Sequence, residues 1–316
     1  MTIAATRRGF LTAAGAWATA SLAGPRAVAA QGDAKVLLLG TKGGPRVNKG
    51  RANPSNLVVA ANRSCVVDCG YGVTRQLIDV GIEAHEVRSI LITHNHSDHV
   101  LELGPLVYTA WAGGLREPVD IWGPPPIKRI VASFLDSMAY DIDIRIEDEG
   151  RPDLRKLAQV HEFEVPGDGS VIVFERDSLK VSATKVRHPP LSHAYAYRFD
   201  TPGRSIVLSG DTTYSPELIA LARGADVLVH EVMHLEGLDR LLSRVPNAPS
   251  LRKHLIESHT TTEQLGRVAA EAGVRTLVLS HFVPGDDPSI TDAMWSEGVR
   301  KNFFGEIVVG RDLMMI

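Results

Sequence analysis

Residues 89–99 read SILITHNHSDH, an apolar, partly β-branched run that leads directly into three histidines and one aspartate. Side chains alternate along an extended chain, so His94 and His96 project to the same side. Asp98 and His99 then enter the following helix, which can direct them at a second point nearby. Imidazole and carboxylate ligands suit borderline metals such as zinc. A histidine-rich surface turn is the alternative, but buried imidazoles without partners cost free energy, so the stretch predicts a metal site.

The first cluster resembles that of the metallo-β-lactamase superfamily, and this resemblance implies three further ligands downstream, each at or after the end of a strand-like apolar run: His188, Asp211 and His281. Strand ends are rigid and therefore suitable places for metal ligands. Taken singly, each residue has a simpler explanation, as a loop histidine, a turn former or a helix cap. Their order along the chain after the first cluster favours one shared metal centre.

The run Thr93-His94-x-His96-x-Asp98-His99 resembles the hallmark of the metallo-β-lactamase superfamily, and the remaining sequence resembles its ribonuclease Z and arylsulfatase-like branch. The resemblance extends over essentially the whole chain beyond the N-terminal segment. It implies an α/β fold, a four-layer αβ/βα sandwich. The alternation of strand-like and helical segments in both halves of the chain agrees with two sheets that carry helices on their outer faces.

The resemblance also implies how the ligands are shared between two divalent metal ions. It assigns the first ion to His94, His96 and His188, the second to Asp98, His99 and His281, and the bridging position to Asp211. We expect Zn²⁺ at both positions, with Mn²⁺ and Fe²⁺ as alternatives.

Two more residues, Glu231 and His259, resemble the Glu-His pair of this branch. The resemblance implies that His259 protonates the leaving oxygen and that Glu231 orients the imidazole. This chemistry is sensible, because a departing alkoxide or aryloxide needs an acid with a pKa near neutrality. Asp98 is expected to orient the attacking nucleophile as well as to bind metal. The simpler reading of His259 is a neighbour of the helix cap that Thr260–Glu263 predicts.

A competing motif overlaps this region, since residues 230–234 read HEVMH and match the zinc-protease pattern H-E-x-x-H. That pattern requires a helix, because only there do both histidines face the same way. Here it begins at the end of the β-branched run Val227–Val229, so we interpret it as a chance match.

The first 30 residues predict an export signal rather than part of the fold. A twin arginine at residues 7–8 precedes a weakly apolar stretch, no acidic residue occurs before Asp33, and Ala27–Ala29 offers a small-residue cleavage site. We therefore expect a twin-arginine signal peptide at residues 1–30, a hydrolase domain at residues 31–316, and a periplasmic or secreted protein. The apolar stretch is too short and interrupted to span a bilayer, so no stable membrane anchor is expected after cleavage.

Charge argues against a nucleic-acid partner. The formal net charge is −3, and the one sizeable insertion, Asp141–Pro152, is acidic and reads as a surface segment that repels a phosphate backbone. No Gly/Pro-rich arm of the kind that grips transfer RNA in ribonuclease Z is visible. We expect a small-molecule ester substrate, either a sulfate ester, with a slight preference for an aryl sulfate, or a phosphodiester.

Other activities stay open at this stage. Lactone or other carboxylic ester hydrolysis is the nearest alternative, because related branches share the first cluster. A mononuclear-iron oxidoreductase of the same fold would use fewer ligands than this chain offers, and a non-catalytic binding module would be expected to lack some of them. The sequence thus predicts an exported, dinuclear, metal-dependent hydrolase that acts on ester bonds.

Overall fold

The computed structural model describes residues 34–167 and 169–316. The predicted signal peptide at residues 1–30 lies outside the described residues, so the domain boundary that follows it stays a prediction. Among the described residues, no helix is both long enough and apolar enough to cross a membrane.

Two mixed β-sheets of seven strands each form the centre of the fold. In pairing order, the first sheet consists of β14 (Met314–Met315), β1 (Lys35–Gly40), β2 (Ser55–Ala60), β3 (Arg63–Val67), β4 (Ser89–Leu91), β5 (Val119–Gly123) and β6 (Ala158–Glu162). The second sheet consists of β13 (Glu306–Val309), β12 (Thr276–Val283), β11 (Val227–Met233), β10 (Ser205–Leu208), β9 (Tyr195–Asp200), β8 (Leu179–Lys185) and β7 (Ser170–Arg176). Strands β3 to β6 and β10 to β13 run parallel, and antiparallel pairs complete each sheet.

Helices accompany each sheet. In the first half they are α1 (Val73–Asp79), α2 (Ser97–Val100), α3 (Leu103–Ala112), α4 (Ile127–Ser137), α5 (Ala139–Glu149) and α6 (Leu154–Leu157), together with a 3₁₀ helix at Ala84–Glu86. In the second half they are α7 (Pro216–Ala222), α8 (Leu235–Leu242), α9 (Ala248–Ser258), α10 (Thr262–Ala272) and α11 (Asp292–Arg300).

Alternating side chains of the strands divide the apolar core into layers. Leu57 and Ile90 point outward and pack with Trp111 of α3, whereas Val58 points inward and packs with Tyr197 of the second sheet. This is the period-two alternation of strands that are buried on both faces. The helix, sheet, sheet, helix arrangement confirms the predicted four-layer αβ/βα sandwich.

The sequence suggested that the acidic segment Asp141–Pro152 is a surface insertion, and this prediction is wrong. Most of it belongs to α5, whose Ile142 is fully buried and whose Ile146 packs against the same cluster one turn later. Arg145 pairs with Asp141 and Glu149 at four-residue spacing, which stabilises a helix despite the negative charge. The segment therefore lies in the outer helical layer of the first sheet.

The carboxyl ends of the parallel strands lie at one edge of each sheet, and the predicted site residues follow these ends. His94 follows β4 after two residues, and Asp211 follows β10. His281 lies within the last part of β12. Loops at such edges are the usual positions of active sites in α/β folds.

Candidate metal centre

The segment after β4 carries the first four predicted ligands. His94 and His96 lie on extended backbone, and α2 then begins with His96 as its N-cap residue. Asp98 and His99 belong to this short helix, and both side chains are buried. The change from extended to helical backbone directs the two pairs at different points, as the sequence predicted.

Four of the predicted ligands form one group. His96 Nδ1 lies 3.1 Å from His94 Nε2 and 3.0 Å from His188 Nε2. Asp211 Oδ2 lies 3.8 Å from His94 Nε2 and 3.9 Å from His188 Nε2. The ligand atoms of a tetrahedral zinc ion, at bond lengths of about 2.0–2.1 Å, stand roughly 3.3 Å apart. The donor set and spacing of this group fit one divalent ion.

A second group of ligand atoms lies on the other side of Asp211. His99 Nε2 and His281 Nε2 are 3.3 Å apart, and they lie 3.3 Å and 3.1 Å from Asp211 Oδ1. Asp98 Oδ2 is 3.6 Å from His99 Nε2 and 3.7 Å from His281 Nε2. Two imidazole nitrogens and two carboxylate oxygens in this space fit a second divalent ion.

Asp211 belongs to both groups because its two oxygens face different histidines. Burial opposes the charge on this carboxylate, but His281 and His99 hold the pKa of Asp211 well below its ordinary value. Gly210 before it has a φ of 59°, and a Cβ there would meet the Tyr195 carbonyl oxygen at 2.7 Å. The residue before the aspartate is therefore restricted to glycine, and the turn places one anionic carboxylate between the two groups.

A bulge in β12 places His281. The ladder between β11 and β12 passes from Ser280 directly to Phe282, so His281 is the extra residue. Its φ of 42° lies in the left-handed region, which is costly for any residue except glycine. Bulges reorient side chains next to functional sites, and this one brings His281 Nε2 to Asp211.

Polar groups behind the histidines fix the orientation of their rings. Asp68 Oδ2 lies 2.8 Å from His99 Nδ1, and the other oxygen of Asp68 accepts a hydrogen bond of 2.8 Å from the Thr93 N–H. The Ser258 carbonyl oxygen lies 2.9 Å from His188 Nδ1. Such partners select the tautomer in which Nε2 carries the lone pair for a metal.

The electrostatics of the histidines fit the same role. Burial lowers the pKa of His188 to about 3 and holds the pKa of His94 well below its ordinary value. Burial also opposes the charge on His281, but Asp211 outweighs it and raises the pKa of His281 to about 10. The first two rings offer free lone pairs at neutral pH, and a metal that binds His281 displaces a proton from it.

Glu231 and His259 form a buried pair beside the two groups. Glu231 Oε1 lies 2.9 Å from His259 Nδ1 and also accepts a 2.8 Å hydrogen bond from the Thr212 N–H. Burial raises the pKa of Glu231; burial opposes the charge on His259, but the Glu231 carboxylate raises the pKa of His259 overall. The His259 ring lies 5.2 Å from the His188 ring and 5.6 Å from the His281 ring, measured between centroids. The pair can therefore hold a proton next to the metal ligands.

The H-E-x-x-H pattern at residues 230–234 has no protease geometry. His230 and Glu231 lie on strand β11, where consecutive side chains point to opposite faces. His234 caps α8, where Nδ1 accepts a 3.2 Å hydrogen bond from the Gly237 N–H. The interpretation as a chance match is confirmed.

The loop between β1 and β2 closes over the second group. The Gly44 N–H donates a 2.9 Å hydrogen bond to Asp98 Oδ2. A Cβ on Gly43 would stand 2.7 Å from His281 Nδ1, so only glycine fits there. Residues 40–51 contain four basic residues and no acidic one. Arg46 and Lys49 are exposed, whereas Lys42 is buried and donates to the Gly43 and Gly44 carbonyl oxygens, and Arg51 is half-buried and donates to Thr41 and to the Gly310 carbonyl oxygen.

His254 is the residue near the centre that the sequence did not indicate. It lies on α9, and its ring centroid is 6.3 Å from that of His259. Its neighbours in the sequence form no ligand or catalytic motif. The folded position of α9 brings it to the site.

Comparison with known proteins assigns the chain to a family. A family model for the beta-lactamase superfamily domain matches residues 63–282. Ribonuclease Z of Mycobacterium bovis (strain BCG / Pasteur 1173P2) is 33% identical over 282 residues, which cover 88% of this chain and 96% of the relative. Ribonuclease Z of Mycobacterium marinum is 34% identical over 283 residues, with the same two coverages of 88% and 96%.

Solved structures share the fold. Human tRNase Z, short form, superposes with a TM-score of 0.65 at 20% identity and covers 89% of this chain and 98% of its own. The metallo-beta-lactamase fold protein YhfI from Bacillus subtilis gives a TM-score of 0.64 at 21% identity, with coverages of 90% and 98%.

These relatives correct three predictions made from the sequence. A small sulfate ester or small phosphodiester as substrate, and the absence of a nucleic-acid partner, both conflict with relatives named ribonuclease Z. The physical reason is that a net charge averages over the whole surface, and α5 with its acidic residues lies in an outer layer. The third prediction, export by a twin-arginine signal, conflicts with the same relatives. The periplasmic or secreted location itself stays a prediction.

The family match spans most of the fold, and the predicted ligands converge in it as two adjoining groups. The chain belongs to the metallo-β-lactamase superfamily, in the branch that contains ribonuclease Z, and is a hydrolase that binds divalent metal.

Proposed function

We propose that the protein is a dinuclear, metal-dependent phosphodiesterase that cleaves RNA, with a transfer RNA precursor as the first substrate to test. The observation that carries this proposal is the Glu231–His259 pair beside two ligand groups that share Asp211. The names of the relatives at 33–34% identity support RNA as the substrate class. The loop at residues 40–51 contacts Asp98 through Gly44, and its exposed Arg46 and Lys49 support a polyanionic substrate.

The ligand roles follow the two groups. His94, His96 and His188 would hold one ion, Asp98, His99 and His281 the other, and Asp211 would bridge them. We propose Zn²⁺ for both, because the mixed imidazole and carboxylate donor set suits it. When bound, the two ions supply Lewis acidity toward the phosphate and lower the pKa of a nearby water.

The residues of the chain supply orientation and a proton. Asp98 accepts a hydrogen bond from the Gly44 N–H and keeps lone pairs that can orient the attacking water. Glu231 binds His259 through Nδ1, which leaves Nε2 to donate a proton to the leaving oxygen. The P–O bond then breaks with the leaving oxygen neutral rather than charged.

The test is cleavage of 5′-labelled RNA by the purified, metal-loaded protein. The substrates are a transfer RNA transcript with a 3′ extension and a single-stranded RNA of the same length as the extension. We expect the transcript to be cut at one position, and His259→Ala to lose that activity while its metal content stays at the wild-type level. An intact transcript after incubation with wild-type protein that contains two ions per chain would contradict the proposal.

A further inference from the structure

A helical hairpin inserted after β11 reaches the metal centre. It consists of α8 and α9, which pack on each other, and their Leu238, Leu242 and Leu255 share a small apolar cluster with Met233 of β11 and Val283 of β12. The last turn of α9 leads into His259, so the hairpin and the catalytic pair are joined directly in the chain. One side of this hairpin faces the metal centre, where a substrate would lie.

His254 is the titratable residue on the side of the hairpin that faces the centre. Its ring centroid lies 6.4 Å from that of His96, 6.4 Å from that of His188 and 6.3 Å from that of His259. Its side chain is half-buried. It belongs to neither ligand group, yet it faces two ligands and the proposed acid.

The hydrogen bonds around His254 determine which ring nitrogen carries the proton. The Ser258 hydroxyl donates to the Pro189 carbonyl oxygen at 2.6 Å, which uses its only hydrogen. Ser258 Oγ can therefore only accept from His254 Nδ1, which lies 3.4 Å away. In the neutral ring this leaves Nε2 with a lone pair, and in the described part of the chain no group donates to it. The free nitrogen is an acceptor that a bound substrate can engage.

On the basis of the function proposed above, we propose that His254 Nε2 accepts a hydrogen bond from the ribose 2′-hydroxyl of the nucleotide whose 3′-oxygen leaves. The 3′-oxygen takes its proton from His259, and the 2′-hydroxyl sits on the neighbouring carbon atom. Two imidazoles at the separation of His254 and His259 can engage these two adjacent oxygens. Since the 2′-hydroxyl distinguishes RNA from DNA, His254 makes the site selective for ribose at this position.

The experiment compares two substrates that differ in one atom. One is the transcript described above, and the other carries a single 2′-deoxy nucleotide on the 5′ side of the cleaved bond. The wild type should cut the deoxy substrate with a kcat/KM lower by roughly tenfold, the scale of one lost hydrogen bond. In His254→Phe, which keeps the ring shape without an acceptor, the ratio of kcat/KM on the ribose substrate to that on the deoxy substrate should fall to about one. In His254→Gln, whose amide oxygen can accept, part of the ratio should remain.

The control separates this role from a structural one. His85→Phe changes a half-exposed histidine beside α1 and α3, outside the centre, and should keep the wild-type ratio. The metal content of His254→Phe should stay at the wild-type level; a lower content would mean that His254 positions His188 through Ser258, and would overturn the inference.

Two further outcomes separate this inference from the function on which it rests. A wild-type ratio that persists in His254→Phe, or a wild type that cuts both substrates equally, would overturn the role of His254 and leave RNA cleavage standing. A wild type that cuts neither substrate would overturn the proposed function, and this inference with it.

Discussion

Asp68 shows how single residues outside the ligand groups prepare the centre. Its backbone φ of 64° is unusual for a residue other than glycine, and it places the carboxylate between Thr93 and His99. Thr93 donates to Asp68 from both its N–H and its hydroxyl. The carboxylate thereby holds the ring of His99 through Nδ1, with Nε2 directed at Asp211.

We expect Asp68→Asn to lower metal affinity by about 10- to 100-fold, because the ring of His99 loses its anionic partner. Competition against a chromogenic zinc chelator measures this change. Asp79→Asn is the matched control, since Asp79 is exposed and pairs with Arg75 on α1, outside the centre. Equal affinities in the two variants would show that Asp68 does not support the site.

His259→Ala should slow RNA cleavage by about 100- to 10,000-fold, the usual contribution of a general acid. The loss should be much smaller on bis(p-nitrophenyl) phosphate, because p-nitrophenolate leaves without a proton. Steady-state kinetics on both substrates measure the two losses, with His85→Ala as the control. Equal losses on both substrates would rule out proton donation by His259.

At the residue scale, the sequence indicated the candidate ligands that the fold brings together, but not His254. Four of the candidate ligands occur within six residues, so they can be recognised as a motif: His94, His96, Asp98 and His99. The remaining ligands follow strand-like runs, and the resemblance supplied their order. His254 lies in the middle of a helix without a motif, so only the folded position of α9 shows that it faces the centre.

At the element scale, most boundaries followed from local signals. The predicted capping box Thr260–Glu263 is one residue too early, because the cap is Thr261 and its partner is Gln264; Gly273 ends the same helix with a φ of 64°. The α8–α9 hairpin and α5 were not predicted. The acidic residues of α5 outnumber its three isoleucines, and α8 and α9 are short helices, so neither segment was recognised although each has a buried apolar face.

The junction between β10 and β11 offers a prediction about pH. Asp226 Oδ2 accepts hydrogen bonds from the Ser205 N–H at 2.8 Å and from its hydroxyl at 2.9 Å, and so joins the beginnings of the two strands. Burial raises the pKa of Asp226, but these hydrogen bonds outweigh it and lower the pKa below 3.8 overall. A lowered folded pKa means that the carboxylate contributes stability above pH 3.8, which is lost as the pH falls through the folded pKa.

We therefore expect Asp226→Asn to reduce the free energy of unfolding at pH 7, by about 1 kcal/mol. The difference from the wild type should narrow as the pH falls below 3.8. Urea denaturation followed by circular dichroism at several pH values measures it. A difference that is constant across this range would show that the charge of Asp226 has no part in the effect.

At the scale of the whole molecule, the metal centre joins the two sheets. The candidate ligands follow β4 of the first sheet, follow β8 and β10 of the second and lie within β12, so bound ions would link both halves of the fold. The overall charge of −3 predicted the wrong substrate class, because it says nothing about the basic loop beside the centre. The substrate class depends on the local surface at the site and is indicated by homologous proteins, and composition reveals neither.

Removal of metal should therefore lower the melting temperature of the protein. An ion present at 1,000 times its Kd stabilises the folded state by about 4 kcal/mol, and re-addition of Zn²⁺ should restore the original value. Differential scanning fluorimetry before and after chelation measures the shift. An unchanged melting temperature, with loss of metal verified by mass spectrometry, would show that the ions do not join the two halves.

The central claim is that two metal ions shared by Asp211 enable the protein to cleave RNA. The most direct measurement is a titration of the metal-stripped protein with Zn²⁺ while cleavage of the labelled transfer RNA transcript is followed. The account predicts no cleavage before metal is added and a rate that rises until two equivalents are bound. Cleavage by the stripped protein, full activity at one equivalent, or an intact transcript at saturation would contradict it.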